Sequence, residues 1–158
     1  VENAMPLLTL ENPVFAAYAV AAALMVLKVM GQGWMTVARM MRVRGGWASP
    51  EDLRPGPINP APDPSQLAPD DYVDRSRRMH RNDLENIPAF WAAGLLFVLV
   101  DPPLALAQVL FAGFVLARLA HFLAYARQWS HELRATFYSI GSLVVIYMAG
   151  HVLWSSVT

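Results

Sequence analysis

Residues Thr136–Trp154 read TFYSIGSLVVIYMAGHVLW, without one Asp, Glu, Lys or Arg. A helix of about 20 predominantly apolar residues is what spans a bilayer. As a soluble helix this stretch would need a polar outer face, and it offers only scattered Ser, Gly, Tyr and His. Three further apolar segments lie upstream, at about Pro13–Met41, Ile87–Val100 and Leu104–Tyr125. The first and third are long enough unaided. The second is short, but Arg78–Glu85 holds no helix breaker and extends it by two turns. The expected helices are therefore about 13–44, 74–100, 104–127 and 133–155, in one domain covering 1–158.

The connections fit that division. Asp101-Pro102-Pro103 is a tight turn that cannot continue a helix. Residues 45–72 hold Pro50, Pro55, Pro57, Pro60, Pro62, Pro64 and Pro69, which predicts one polar loop with neither helix nor sheet. The N-terminus has no basic region ahead of its apolar run and does not read as a secretory signal. Val1–Ala4, ahead of Met5, read as an addition before the initiator.

The 158 residues are 56% hydrophobic and 15% charged, with twelve basic and twelve acidic residues, so the net charge is zero. That balance excludes disorder and predicts no nucleic-acid partner, because there is no global positive field. No Cys is present, so disulfides, thiol nucleophiles and Cys-ligated metals are excluded. No metal site is expected. By position the charges are polarised: none of the twelve bases falls in 1–27, 82–117 or 135–158. Arg residues gather in the 41–80 region and near 127–134. The positive-inside rule then places those two connections in the cytoplasm, with the termini and the Asp101 turn on the other side. The reading is an all-α integral membrane four-helix bundle.

Ionisable residues at membrane depth are functional hypotheses by default. Arg78, Asn82 and Glu85 stand at i, i+4 and i+7 and share one helix face. Arg118, His121 and Tyr125 do the same on the third helix, where Arg118 is expected to pair with Glu85 or Asp83. Arg134 and Tyr138 open the fourth helix at i, i+4. Three helix ends on one side thus present Arg beside hydrogen-bonding groups. Guanidinium forks bind carboxylates bidentately, Glu85 suits an ammonium, and Asn82 donates and accepts. Glutathione, with carboxylates, an amine and peptide amides, satisfies the set, and a neighbouring Arg favours its thiolate.

At these residues the chain resembles the membrane-associated proteins in eicosanoid and glutathione metabolism, the MAPEG family. The resemblance lies in Asp74-Arg75, Arg78 and Asn82-Asp83-Leu84-Glu85-Asn86-Ile87-Pro88. It continues through Ala48-Ser49-Pro50-Glu51-Asp52, Arg118-Leu119-Ala120-His121, Ala124-Tyr125, Arg134 and Tyr138. It is closest to the family's prostaglandin E synthases and covers nearly the whole chain. It implies a left-handed antiparallel bundle assembling as a homotrimer, in a bacterial inner membrane or the endoplasmic reticulum. It implies glutathione as cofactor, lipophilic small molecules as substrates and membrane lipids as neighbours. The chemistry implied is that of a microsomal-type glutathione transferase, peroxidase or prostaglandin-endoperoxide isomerase. The alternative is a non-catalytic lipid-binding scaffold of the lipoxygenase-activating type.

By the same resemblance Arg134 stabilises the thiolate, and Tyr125 and Asp52 join it as catalytic residues. Arg78, Arg81, Asn82, Glu85, His121, Tyr125, Arg134 and Tyr138 bind the tripeptide. A basic residue at the end of the first helix reaches in from a neighbouring subunit; Arg42 is favoured, with Arg39 and Arg44 as competitors. Two positions depart from the pattern. Ala135 stands where the prostaglandin-isomerising members carry Ser, and Asn86 where leukotriene C synthase carries Tyr.

Overall fold

The computed structural model describes residues 7–158; the expected N-terminal addition lies outside them. Four helices account for most of the chain: α1 (Pro13–Val43), α2 (Asp71–Leu99), α3 (Leu104–Ala126) and α4 (His131–Val157). No strand occurs among the described residues. The helix bounds fall within a few residues of those expected, and each end has a local cause. Asn12 caps α1, its Oδ1 accepting from Val14 N–H at 2.9 Å, and Pro13 occupies the first helical position, where a missing N–H costs nothing. Asp70 caps α2 through Val73 N–H at 3.0 Å. Ser130 caps α4 through Leu133 N–H.

Two helices end in the same way. Gly45 N–H bonds the Met40 carbonyl and Trp129 N–H bonds that of Ala124. Between donor and helix stand Arg44 (φ 50°) and Gln128 (φ 60°). This is the left-handed C-terminal turn that glycine usually occupies. Here two side-chain-bearing residues accept it, at a cost of about 1–2 kcal/mol each.

The helices contribute to two compact units, Val1–Leu27 with Asp83–Thr158, and Lys28–Asn82. The core of the first unit is aromatic. Phe90 stacks on Phe114 with ring centroids 4.1 Å apart, and Phe111 meets Phe90, Phe97 and Tyr18 edge-on. Tyr18 and Trp91 knit α1 to α2 reciprocally. Tyr18 Oη donates to the Trp91 carbonyl at 2.8 Å, and Trp91 Nε1 donates to the Ala22 carbonyl at 3.3 Å. The approach is close because Gly94 has no side chain. A Cβ there would lie 2.8 Å from the Tyr18 ring.

The second unit joins the latter part of α1 to the charged start of α2. Gln32 Nε2 donates to Ser76 Oγ at 2.9 Å, and Thr36 Oγ1 donates to the same oxygen at 2.9 Å. The 45–72 region is more ordered than a structureless loop. Prolines Pro50 and Pro64 each open a short 3-10 turn, Pro50–Leu53 and Pro64–Leu67. The expectation of no helix overlooked that Pro is favourable in a first turn. The segment is tied down by Trp47 N–H to the Gln66 carbonyl, by Asn59 Nδ2 to Gln66 Oε1 at 2.7 Å and by Arg77 to the Gly46 carbonyl.

Three helices, α1, α3 and α4, are long and apolar enough to cross a membrane. Their outward residues are large and apolar, among them Leu27, Trp34, Val109, Leu116, Ile146 and Leu153, each more than three-fifths exposed. Only α2 falls short, because its first half carries the Arg and Asp residues that precede Ile87.

Candidate active site

The first unit holds one deeply buried charge pair. Arg118 Nη2 donates to Asp83 Oδ1 at 2.6 Å, with both side chains at most 1% exposed. Of the two acids anticipated, Asp83 is the partner; Glu85, two residues on, points outward and is exposed. An isolated charge at this depth is strongly disfavoured, so removing either partner is far costlier than the pair itself.

The same Arg118 nitrogen lies 3.5 Å from His121 Nδ1. His121 is buried, and its ring centroid is 5.0 Å from that of Tyr125. The guanidinium carbon of Arg134 stands 4.6 Å over the centroid of the Tyr125 ring. A cation over an aromatic face gains about 0.5–2 kcal/mol depending on exposure. Arg134 Nε is buried without a hydrogen-bond partner, and no acid pairs with Arg134 among the described residues. So one face of α3, carrying Arg118, His121 and Tyr125, and the first turn of α4 converge on a guanidinium that makes no direct ion pair among the described residues, the exposed Glu132 acting on it only through its charge. Half-exposed Tyr138 stands one turn further along α4, and Ala135 brings no hydroxyl.

The remaining expected residues are placed as follows. On α2, Arg78 is exposed and its guanidinium donates to Asp71 Oδ1 at 2.8 Å. Arg81 is exposed and Asn82 half-buried. The helix is unbroken from Asp71 to Leu99, so the Arg78, Asn82, Glu85 register holds. Asp71 also accepts from Arg75 at 2.6 Å. Hydrogen bonds from Arg78 first and Arg75 second hold its carboxyl below the ordinary carboxylate value.

The three candidates at the end of α1 separate cleanly. Arg39 is buried, donates to the Tyr72 carbonyl at 2.8 Å and covers the Tyr72 ring at 4.4 Å, so it is spent within its own unit. Arg44 forms the left-handed turn. Arg42, in the last turn of α1, is exposed. Asp52 has a local partner, its Oδ2 accepting from Ser49 N–H at 3.2 Å.

Sequence reasoning did not foresee the Asp71 pairing of Arg78 or the Gln32–Ser76–Thr36 cluster. A signal existed for the second, since polar residues inside apolar spans find partners. Among the described residues no group of His, Asp and Glu forms a metal site.

Arg118 is thus neutralised by a buried acid, whereas Arg134 stands over a tyrosine with no direct ion pair among the described residues. Comparison of sequences takes this further. Residues 15–154 match the MAPEG family, and the chain belongs to that family. It is similar to bovine (Bos taurus) microsomal glutathione S-transferase 1, with 36% identity over 92% of this chain and 93% of that protein. The human counterpart of that transferase is 35% identical over 92% of this chain and 93% of its own length. Human (Homo sapiens) prostaglandin E synthase is 29% identical over 94% of both chains.

Proposed function

We propose that this protein is a membrane-embedded, glutathione-dependent enzyme that activates the thiol of the tripeptide for attack on a lipophilic electrophile, hydroperoxide or endoperoxide. The observation that carries the reading is the Arg134 guanidinium, seated on Tyr125 with no direct ion pair among the described residues. A family whose members include named glutathione S-transferases supports the identity of the anion. A cation beside a thiol favours the thiolate, which is the nucleophile. The thiol proton leaves to water. With an aryl halide the sulfur–carbon bond forms as the carbon–halogen bond breaks, and halide departs with the electron pair.

In this reading Arg134 and Tyr125 act at the sulfur. His121, Tyr138, Arg78, Arg81, Asn82 and Glu85 hold the peptide, and Arg42 enters from a neighbouring subunit of a homotrimer. Asp52 remains a candidate acid–base group. The Arg-bearing connections face the cytoplasm and the termini lie opposite, in either a bacterial inner membrane or the endoplasmic reticulum. The Ala135 substitution and the higher identity to the transferases favour transferase or peroxidase chemistry over prostaglandin isomerisation.

One observation favours the lipid-binding scaffold as a second reading. An apolar groove of about 590 Å³ runs between α1 and α3, lined by Ala17, Val20, Ala21, Phe111 and Val115 with Gln108 its one polar group. Calorimetry with glutathione on the purified protein separates the two. Binding with an ultraviolet thiolate band, lost in Arg134→Ala, and turnover of chlorodinitrobenzene or a lipid hydroperoxide support the enzyme. Lipid binding without glutathione binding overturns it, as does bound glutathione with no thiolate band at neutral pH.

A further inference from the structure

Asp83 and Arg118 lie outside the tripeptide-binding set, yet they are the most deeply buried charges of the first unit. We infer that this ion pair is a positioning device for Arg134, acting through His121 and Tyr125. The inference rests on the reading that Arg134 stabilises the glutathione thiolate.

The contacts run without a gap. Asp83 Oδ1 takes Arg118 Nη2 at 2.6 Å, the same nitrogen faces His121 Nδ1 at 3.5 Å, His121 leans on Tyr125 at a 57° interplanar angle, and Tyr125 carries Arg134. A guanidinium only donates. The contact therefore suits the tautomer in which His121 Nδ1 accepts. Asp83 fixes the Arg118 fork, the fork fixes which way the His121 ring faces, and that ring backs the Tyr125 plane. No hydrogen bond or ion pair holds the Arg134 guanidinium among the described residues, so the orientation of that plane decides where its charge points. Preorganised charge is effective only when aimed in advance at the group it stabilises.

A purely structural ion pair would change stability when altered and leave the ionisation of a bound thiol where it was. The test is therefore the pH profile of the thiolate absorbance at saturating glutathione, measured on full-length protein in lipid nanodiscs. Asp83→Asn is expected to raise the apparent pKa of the bound thiol by about one unit, roughly a tenfold smaller thiolate fraction at neutral pH. Glutathione affinity changes by less than about threefold, and Asp83→Glu restores most of the band. Tyr125, partly exposed, gives an arm outside the buried pair: Tyr125→Phe, which keeps the ring plane, is expected to retain more of the band than Tyr125→Leu. If Asp83→Asn does not fold, Arg118→Lys, which keeps the charge and loses the fork, decides the role of the pair: a raised thiol pKa is expected, and an unchanged one overturns it. A band lost in Arg134→Ala but intact in Tyr125→Leu and in any folded Asp83→Asn overturns the positioning role only. No wild-type band, or one undiminished in Arg134→Ala, overturns the glutathione reading beneath it.

Discussion

The Arg134 guanidinium rests on the face of the Tyr125 ring, 4.6 Å from its centroid, and among the described residues no carboxylate forms a direct ion pair with it. The contact joins the first turn of α4 to the last turn of α3 across the short 127–130 connection. It seats a cation by shape and polarisability without spending its charge. An arginine paired with an acid would have little field left for a ligand anion.

The first prediction follows from that geometry. Arg134→Ala removes both charge and plane, and should lower glutathione-dependent turnover by about 100–1000-fold, the usual cost of a lost preorganised electrostatic group. Arg134→Lys keeps the charge but not the flat, stacked fork. It should recover only part of the loss, about tenfold over the Ala variant, with the deficit in kcat and not in the KM for glutathione. Steady-state kinetics on both variants decides it, and full activity in Arg134→Lys would show that the stacking has no role.

Much of this arrangement was legible in the sequence. Charge-free runs mark spans directly, because a bilayer tolerates no unpaired charge, and prolines with Asn12, Asp70 and Ser130 mark where helices start. The i, i+3, i+7 spacing of Arg118, His121 and Tyr125 puts them on one helix face. The choice between Asp83 and Glu85 as the partner of Arg118 was not legible, since both lie within a turn of one another on α2 and only packing turns one inward. Nor was the fate of Arg39 against Arg42. Three residues rotate a helix by about 300°, so which of the two the Tyr72 backbone captures depends on how α1 meets α2 locally. The 3-10 turns were not legible from proline content alone, because Pro breaks a helix interior but is favourable at a helix start, as at Pro50 and Pro64.

The second prediction concerns acid. The Asp71 carboxyl is held below its ordinary value by hydrogen bonds from Arg78 and Arg75. A group depressed in the folded state contributes stability that is present above its unfolded pKa of about 3.9 and is lost as pH falls through the folded value. In thermal unfolding of the protein in micelles, the difference between wild type and Asp71→Asn should hold constant from about pH 8 to pH 5 and shrink below about pH 4. The carboxylate is fully exposed, so added salt should shrink it too. A difference that grew on acidification would show that Asp71 does not stabilise the folded state through its charge.

At Gly94 helices α1 and α2 approach closely. A Cβ added there would stand 2.8 Å from Tyr18 Cε2 and 3.0 Å from Cδ2, with Phe111 at 3.5 Å behind. The Tyr18 ring cannot swing aside cheaply, because its hydroxyl is bonded to the Trp91 carbonyl and its other neighbours are the rings of Phe15, Phe90 and Phe111. Overpacking of this kind costs about 1–3 kcal/mol. Replacing Gly by Ala within a helix returns about 1 kcal/mol of propensity, so Gly94→Ala should be destabilised by up to about 2 kcal/mol net. Gly150, with open space around its position, supplies the matched control: Gly150→Ala should gain up to about 1 kcal/mol. Tyr18→Phe in the Gly94→Ala background should recover part of the loss, because the freed ring can then yield to the new methyl. Denaturation of the three variants in mixed micelles measures the signs. A stabilised Gly94→Ala would mean that α1 and α2 do not meet there as closely as the Tyr18 and Trp91 bonds require.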